Sequence, residues 1–263
     1  MQANSLSLIV ANIEKDRHRE LFVPFCLSRD PEVILMQEVN LRTFQSLAEA
    51  LGAKKQFFIP MGLIEVEEGG PLETIGLGAL LREKECSLDV AVYREFCYRR
   101  APLAPGKRLP LFNKAKNYAS DSYIQHFEVR KGDAVFALGN THFPWTPDGN
   151  PDNEQYTYMP QVVEYAKINK LIVCGDLNAP RLMSNGTKGQ IWNMLAKHFH
   201  DNIPDEMTST LDPSLHRASK NGAPLPLVVD ALFTPQEYRA ENVTLHCGVS
   251  DHKAISAVIR RVV

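Results

Sequence analysis

The chain has 263 residues, of which 44 % are apolar and 23 % charged, with a formal net charge of −2 and a pI near 6.5. Those figures are ordinary for a soluble enzyme with a sizeable core, and they exclude a domain coated in positive charge, so any nucleic-acid contact must rest on a local patch. Five cysteines, an odd number without a C-x-x-C pair, argue against a disulfide framework or a structural zinc site and for a reducing compartment. The amino terminus has no basic region and no apolar run of signal-peptide length, and no stretch reaches the length of a membrane span. A cytoplasmic protein is expected.

In chain order, Leu6 to Ala11 reads as a strand that delivers Asn12 at its end. Glu14 to Leu27 reads as a helix with Pro24 in its middle. Glu32 to Met36 is a second apolar strand, delivering Gln37 and Glu38. Asn40 then caps a helix running to Leu51, closed by Gly52. Lys55 to Met61 is a strand, and Glu65 to Glu73 an acidic, glycine-rich tip. Ile75 to Leu81 and Ser87 to Tyr93 are strands joined by the charged turn Arg82 to Glu85.

Arg94 to Lys116 is the strongly basic segment, with Tyr98 and Phe112 interleaved and Pro102, Pro105 and Pro110 marking it as largely loop. Two readings stay open for it: a solvated loop, or a flap that steers anionic substrates. Asp121 to Arg130 and Ala134 to Asn140 form an antiparallel pair turned at Lys131-Gly132-Asp133, and the second strand delivers Asn140-Thr141-His142. After the turn-rich segment Phe143 to Pro151, a helix from Asn153 to Asn169 is interrupted near Pro160.

Leu171-Ile172-Val173-Cys174-Gly175 is a short buried strand, with Asp176 and Asn178 emerging at its carboxyl end and Pro180 stopping it. In open α/β architectures ligands bind beyond the carboxyl ends of strands, where a carboxylate can orient or deprotonate a water. Thr187 to Phe199 reads as a helix with Ile191, Met194, Leu195 and Ala196 inward, and Asp201 to Pro226 as an irregular lid. Leu227 to Phe233 is a strand carrying one acid, Asp230, among apolar residues, which therefore needs a cation or hydrogen bonds. Val243 to Cys247 and Ala254 to Val262 are the last strands, with Ser250-Asp251-His252 between them. No repeat or linker is visible, so a single domain spanning residues 1–263 is expected.

Taken singly, Glu38 is a helix-start acid, Asp176 a turn cap and each histidine a structural one. Together Asn12, Glu38, His142, Asp176, Asn178, Asp230, Asp251 and His252 are the polar residues at strand ends. The ordered strings Ala11-Asn12-Ile13, Gln37-Glu38, Asn140-Thr141-His142, Gly175-Asp176-Leu177-Asn178, Asp230 and Ser250-Asp251-His252 span nearly the whole chain. In that order they resemble the endonuclease/exonuclease/phosphatase superfamily, which includes pancreatic-type deoxyribonucleases, abasic-site endonucleases, inositol-polyphosphate 5-phosphatases, neutral sphingomyelinases, deadenylases and tyrosyl-DNA phosphodiesterases.

The resemblance implies a four-layer α/β sandwich, two packed, mostly antiparallel mixed sheets flanked by helices, with the site at one end. It implies that Glu38, helped by Asn12 and Asp251, binds a divalent metal, and hard oxygen ligands suit Mg2+ or Mn2+. Asp176 would orient or deprotonate the attacking water, and Asn178 would position that water or a phosphate oxygen. His252 would contact the phosphate with Asp230 holding its ring, and His142 would be a second phosphate-facing histidine. Some branches use an active-site tyrosine, for which Tyr93, Tyr98, Tyr118 and Tyr123 are all candidates.

The implied activity is a Mg2+/Mn2+-dependent phosphoric ester hydrolase, nuclease-like and monomeric. Its substrate would be a small phosphoester or a short, single-stranded or terminal piece of nucleic acid. Trp145 is a candidate to stack on a base or to pack under its loop. A small-molecule phosphatase, a phospholipid phosphodiesterase and an inactive phosphate-binding module on the same scaffold are the alternatives. Asp16-Arg17-His18, Gly175-Asp176 and Gly139-Asn140 echo calcineurin-like metallophosphoesterases, but in the wrong order and without the later His-x-His pair. His198-Phe199-His200-Asp201 is a weak zinc motif that reads better as a helix end.

Overall fold

In the computed structural model, which describes residues 4–65, 70–84, 87–103, 106–111, 120–146, 150–217 and 225–262, the apolar runs become strands of two sheets. The first part of the chain forms β1 (Ser5–Asn12), α1 (Arg19–Arg29), β2 (Val33–Asn40), α2 (Leu41–Ala50), β3 (Lys55–Glu65) and β4 (Leu72–Leu81). Next come β5 (Leu88–Arg99), β6 (Ser122–Lys131), β7 (Ala134–His142), α3 (Asn153–Ile168) and β8 (Ile172–Asp176). The chain ends with α4 (Gln190–Ala196), β9 (His200–Asp201), β10 (Asp230–Thr234), β11 (Tyr238–His246) and β12 (Ala254–Arg261).

One six-stranded sheet has the order β11-β12-β1-β2-β4-β3 and the other β5-β6-β7-β8-β10-β9. Each contains one parallel pair, β1 with β2 and β7 with β8, among otherwise antiparallel neighbours. A parallel pair needs a crossover, and α1 and α3 supply the two. Leu6, Leu8, Val10, Val33 and Leu35 of the first sheet share a core with Phe127, Phe136 and Leu138 of the second. Alternate residues of the first sheet, Ile9, Ile34 and Met36, pack outward under Phe22 and Phe44 of α1 and α2. With α3 and α4 on the other sheet, the expected four-layer sandwich is present. No helix among the described residues is long and apolar enough to cross a membrane.

At the end of the sandwich remote from Asp176, a buried ion pair joins the sheets. Lys131 Nζ lies 2.6 Å from Glu32 Oε1 and donates to the Ser5 carbonyl at 2.8 Å, while Glu32 Oε2 accepts from the Ser7 amide at 3.0 Å. Mid-sandwich, Asn140 accepts from Gln37 at 2.6 Å and donates to Gln125 and to the carbonyls of Met36 and Gly78. The amide at that strand position is a polar stitch between sheets.

Several elements differ from the sequence reading. The helix expected from Glu14 begins at Arg19, because Glu14 and Lys15 take left-handed conformations (φ 44° and 71°) and turn back toward Asn12 and Glu38. Pro160 does not interrupt α3, and Pro24 sits within α1. Both prolines are exposed, on the solvent side of their helices. α4 starts at Gln190 rather than Thr187, since Asn185 Oδ1 holds the Thr187 amide and hydroxyl in a turn. In α4 Trp192 is buried, its indole donating to Asp201 at 2.7 Å, and Ala196 is exposed.

The basic segment is strand through Arg99, whose guanidinium pairs with Glu154 and the Ser120 carbonyl. Phe112, Lys114 and Lys116, with Tyr118, lie outside the described residues, as do parts of the acidic tip (66–69), the charged turn (85–86), the turn-rich segment (147–149) and the expected lid (218–224). The strands on either side of the charged turn belong to different sheets. The described part of the expected lid is no lid. Arg181 donates to the carbonyls of Ile203, Pro204, Asp205 and Met207, and Ser209 to Asp212 are buried. Leu227 to Val229 precede β10 rather than belonging to it.

Candidate active site

Both parallel strand pairs end at the same end of the sandwich, and the side chains delivered there meet. Asn12 closes β1, and its Nδ2 donates to Asp176 Oδ2 at 3.1 Å and to Glu38 Oε1 at 3.4 Å. Glu38 reaches this position through a bulge: the β2–β4 register shifts between Met36 and Val39, and Glu38 has φ 52°. The extra residue sends Gln37 between the sheets and turns Glu38 out to the rim.

Asp176 is the last residue of β8, 1 % exposed, and its register partner across β10 is Asp230. Gly175 before it has φ 127°, and a Cβ there would lie 1.9 Å from the Thr141 carbonyl oxygen, so only glycine lets β8 approach the end of β7. Asp176 Oδ1 accepts from the Asn178 amide at 2.7 Å. Its other oxygen, Oδ2, is the focus of the site: besides Asn12 it faces His142 Nε2 at 3.6 Å and His252 Nε2 at 3.9 Å. Burial, reinforced by the Asp230 charge, raises the Asp176 pKa against the pull of the His252 charge.

His142 ends β7, its Nε2 also 3.6 Å from Glu38 Oε1. Asn178, held left-handed at φ 46°, points Nδ2 at His142 Nε2 and at the Phe143 carbonyl, both at 2.9 Å. The bond to Phe143 fixes the amide orientation, so Nε2 of His142 accepts and its ring proton sits on Nδ1 in this arrangement. His252 is the opposite case. Its Nδ1 faces the Asp230 carboxylate at 2.9 and 3.1 Å, leaving Nε2 toward Asp176. Burial works against its charge, but Asp230 and Asp176 outweigh it and hold the ring well above the usual imidazole range.

Asp251 completes the ring of eight. It accepts from the Ser250 hydroxyl at 3.1 Å, and burial, aided by the nearby Glu14 and Glu38 charges, pushes its carboxyl up to about 6. Ligand atoms of Asp251 lie within 4.8 Å of those of Glu14 and His18, and of His216 and His252. These groups could hold a metal ion. The donor set is carboxylate-rich, without thiolate, and crowds anionic oxygens enough to raise a carboxyl pKa, which fits a hard divalent cation.

Sequence reasoning missed Glu14 and a supporting loop. Glu14 is buried two residues after Asn12, its amide donates to Asn12 Oδ1 at 3.2 Å, and its carboxylate is shared by His18, Arg17 and Arg217. The signal available was spacing: Asn12-x-Glu14 mirrors Asp176-x-Asn178, a polar pair straddling a strand end. Thr210 Oγ1 accepts from the amides of Val229 and Asp230, at 3.0 and 3.1 Å, and so sets the start of β10. The backbone of Thr210 to Asp212 pairs with Asp251 to Lys253, and Asp212 accepts from the Gly248 amide. None of these carried a sequence pattern. Of the tyrosines, Tyr98 bonds Thr141 Oγ1 and the His142 carbonyl, so it props β7 from within the core, whereas Tyr93 and Tyr123 are bonded to Glu95 and to Asp121 and Arg100. Trp145 stands 45 % exposed just beyond His142.

No protein-family model and no curated protein matches the sequence. Solved structures do match the fold. An endonuclease/exonuclease/phosphatase from Beutenbergia cavernae DSM 12333 aligns with 98 % of this chain and 72 % of its own, at TM-score 0.73 and 15 % identity. The chain has the endonuclease/exonuclease/phosphatase fold. A humanized D. rerio TDP2 bearing 14 mutations aligns over 98 % and 99 % of the two chains (TM-score 0.66, 15 % identity). A mannosyl-6-phosphatase of Bacteroides thetaiotaomicron VPI-5482 aligns over 97 % and 99 % (TM-score 0.62, 14 % identity). At these identities the likeness concerns the endonuclease/exonuclease/phosphatase fold itself, and the chemistry has to be argued from the side chains.

Proposed function

We propose that this protein is a divalent-metal-dependent phosphoesterase, a nuclease-like phosphodiester hydrolase working on Mg2+ or Mn2+. The observation that carries the reading is that one buried carboxylate oxygen, Asp176 Oδ2, faces Asn12, His142 and His252 while Glu38, Asp251 and Glu14 crowd their oxygens alongside. Hydrolysing a phosphoester needs neutralised charge, a placed water and donors around phosphorus.

Glu38 and Asp251, with Asn12 and the newly found Glu14, would hold the cation, which supplies Lewis-acid neutralisation of the phosphate when bound. Asp176 accepts the proton of the attacking water: its raised pKa brings it nearer neutral pH, where a general base is most effective. His252, kept cationic by Asp230, donates from Nε2 to a non-bridging oxygen and opposes the charge that builds there. Asn178 would orient the water, and His142, which accepts from Asn178 Nδ2 in this arrangement, would face a phosphate oxygen as a donor once it is protonated and that bond is exchanged. The half-exposed Trp145 offers an apolar face to the leaving group. We place this single-domain monomer in the cytoplasm, in keeping with the free Cys26, Cys97, Cys174 and Cys247.

The test is a turnover screen with Mg2+ over bis-p-nitrophenyl phosphate, p-nitrophenyl phosphate, single-stranded DNA and mannose 6-phosphate. Activity on the diesters, lost with EDTA and in Asp176→Asn, is expected. Wild-type turnover by Asp176→Asn would refute the assigned base.

A further inference from the structure

Asp152-Asn153-Glu154-Gln155 has the sequence of a capping box at the start of α3, and half of that box is made: the Asp152 side chain accepts from the Gln155 amide at 2.9 Å. In the complete motif the glutamine would reach back to the cap residue's own N–H. Gln155 does not. Its Nε2 leaves the helix and donates to the carbonyl of Pro144 at 2.6 Å and of Asn178 at 3.1 Å. Its Oε1 is buried without a hydrogen-bond partner among the described residues, and the residue is 0 % exposed. A buried acceptor left unpaired costs free energy, so stability of the helix start does not explain the choice.

What the two bonds accomplish is geometric. Pro144 belongs to the turn that follows His142, and Asn178 to the turn that follows Asp176. Asn178 N bonds Asp176 Oδ1 within its own turn, while Asn178 Nδ2 crosses to His142 Nε2 and Phe143 O, and the Phe143 amide crosses to the Asp176 carbonyl at 2.9 Å. Asn178 is in the left-handed region, which asparagine tolerates better than other non-glycine residues. Gln155 adds a tie from the Asn178 carbonyl to the neighbouring turn. We propose that Gln155 is a positioning residue, whose forked donor bridges the Pro144 and Asn178 carbonyls and, with the bonds that already cross between the turns, fixes Asn178 against His142 and Asp176. The inference rests on the phosphoesterase reading above for its kinetic part, but not for its geometric part.

Gln155→Leu, which keeps the bulk and removes both donors, and Gln155→Glu, which keeps the shape, are the variants. Both are read by kcat and KM on bis-p-nitrophenyl phosphate, by Mn2+ affinity, and by the ring-nitrogen resonances of His142 and the side-chain amide of Asn178. Displacements of an ångström near reacting groups cost on the order of 10²-fold, so kcat should fall by about that factor with KM and Mn2+ affinity changed by less than about threefold. The His142 and Asn178 resonances should shift. Gln155→Glu should regain activity relative to wild type as pH falls, because a protonated carboxyl restores one donor. A lower melting temperature with wild-type kcat per folded molecule and unmoved His142 and Asn178 resonances would overturn the inference. Wild-type protein that turns over no phosphoester, while the resonances still shift in the variants, would overturn the phosphoesterase reading and leave the positioning role standing.

Discussion

Asp251 offers a sharp quantitative test, because its carboxyl is titrated by the company that makes it a candidate metal ligand. Burial and the charges of Glu14 and Glu38 raise its pKa from the usual 3.8 to about 6. Since the folded-state value lies above the unfolded one, protonation favours folding: the contribution is full below the unfolded pKa and is lost as pH rises through about 6. Between pH 5 and pH 7 the change integrates to about 1 kcal/mol, or roughly 2 °C in melting temperature for a chain of this length. The group is 8 % exposed, so solvent screening takes little from that figure. The assay is urea denaturation in EDTA of wild type and Asp251→Asn at both pH values. The variant lacks the titration, so the stability of wild type relative to it should be about 1 kcal/mol greater at pH 5 than at pH 7. Saturating Mn2+ should erase or reverse the difference, because metal binds the deprotonated carboxylate. A difference that is flat with pH, or of opposite sign, in EDTA would refute the claim that anionic oxygens crowd this carboxyl.

Other consequences follow from single contacts. Lys131→Met strands the Glu32 carboxylate in the core and should cost about 3–5 kcal/mol in urea denaturation, while adding Glu32→Leu should recover much of the loss. Gly175→Ala forces a Cβ to 1.9 Å from the Thr141 oxygen at φ 127°. It should cost at least about 2 kcal/mol and depress turnover, since Asp176 follows directly. Asp230→Asn removes the carboxylate that keeps His252 charged. The alkaline limb of the kcat–pH profile should move to lower pH, with kcat at pH 8 down by about 10²-fold, and an unmoved limb would show that His252 does not act as a cation.

The sheet cores and the eight strand-end residues were legible because a strand that is buried on both faces must be continuously apolar, and a polar residue at its carboxyl end then stands out. Asn12, Glu38, His142 and Asp176 announced themselves in that way, and Asp230 as a lone acid in an apolar run. Positive-φ residues did not. Glu14 reads as a helix-start acid unless one knows that it and Lys15 turn left-handed, and the bulge at Glu38 has no glycine to mark it. Pro160 misled because the cost of a helix proline depends on which side of the helix it occupies. The supports of the site, Thr210, Asp212 and Gln155, act through backbone carbonyls and amides of residues far off in the chain, and such partners leave no trace in local pattern. Sheet assignment was also beyond local reading: nothing near residue 82 signals that the strands on either side part company.

The central claim is that one hard cation, gripped by Glu38 and Asp251, and one base, Asp176, act on the same phosphoester. Mn2+ binding followed by electron paramagnetic resonance, alongside turnover of the same samples, separates the two roles. Glu38→Gln should weaken Mn2+ by at least about tenfold and lose turnover at limiting metal, whereas Asp176→Asn should bind Mn2+ nearly as wild type yet lose about 10³-fold in kcat. Wild-type Mn2+ affinity and turnover in Glu38→Gln would contradict the account.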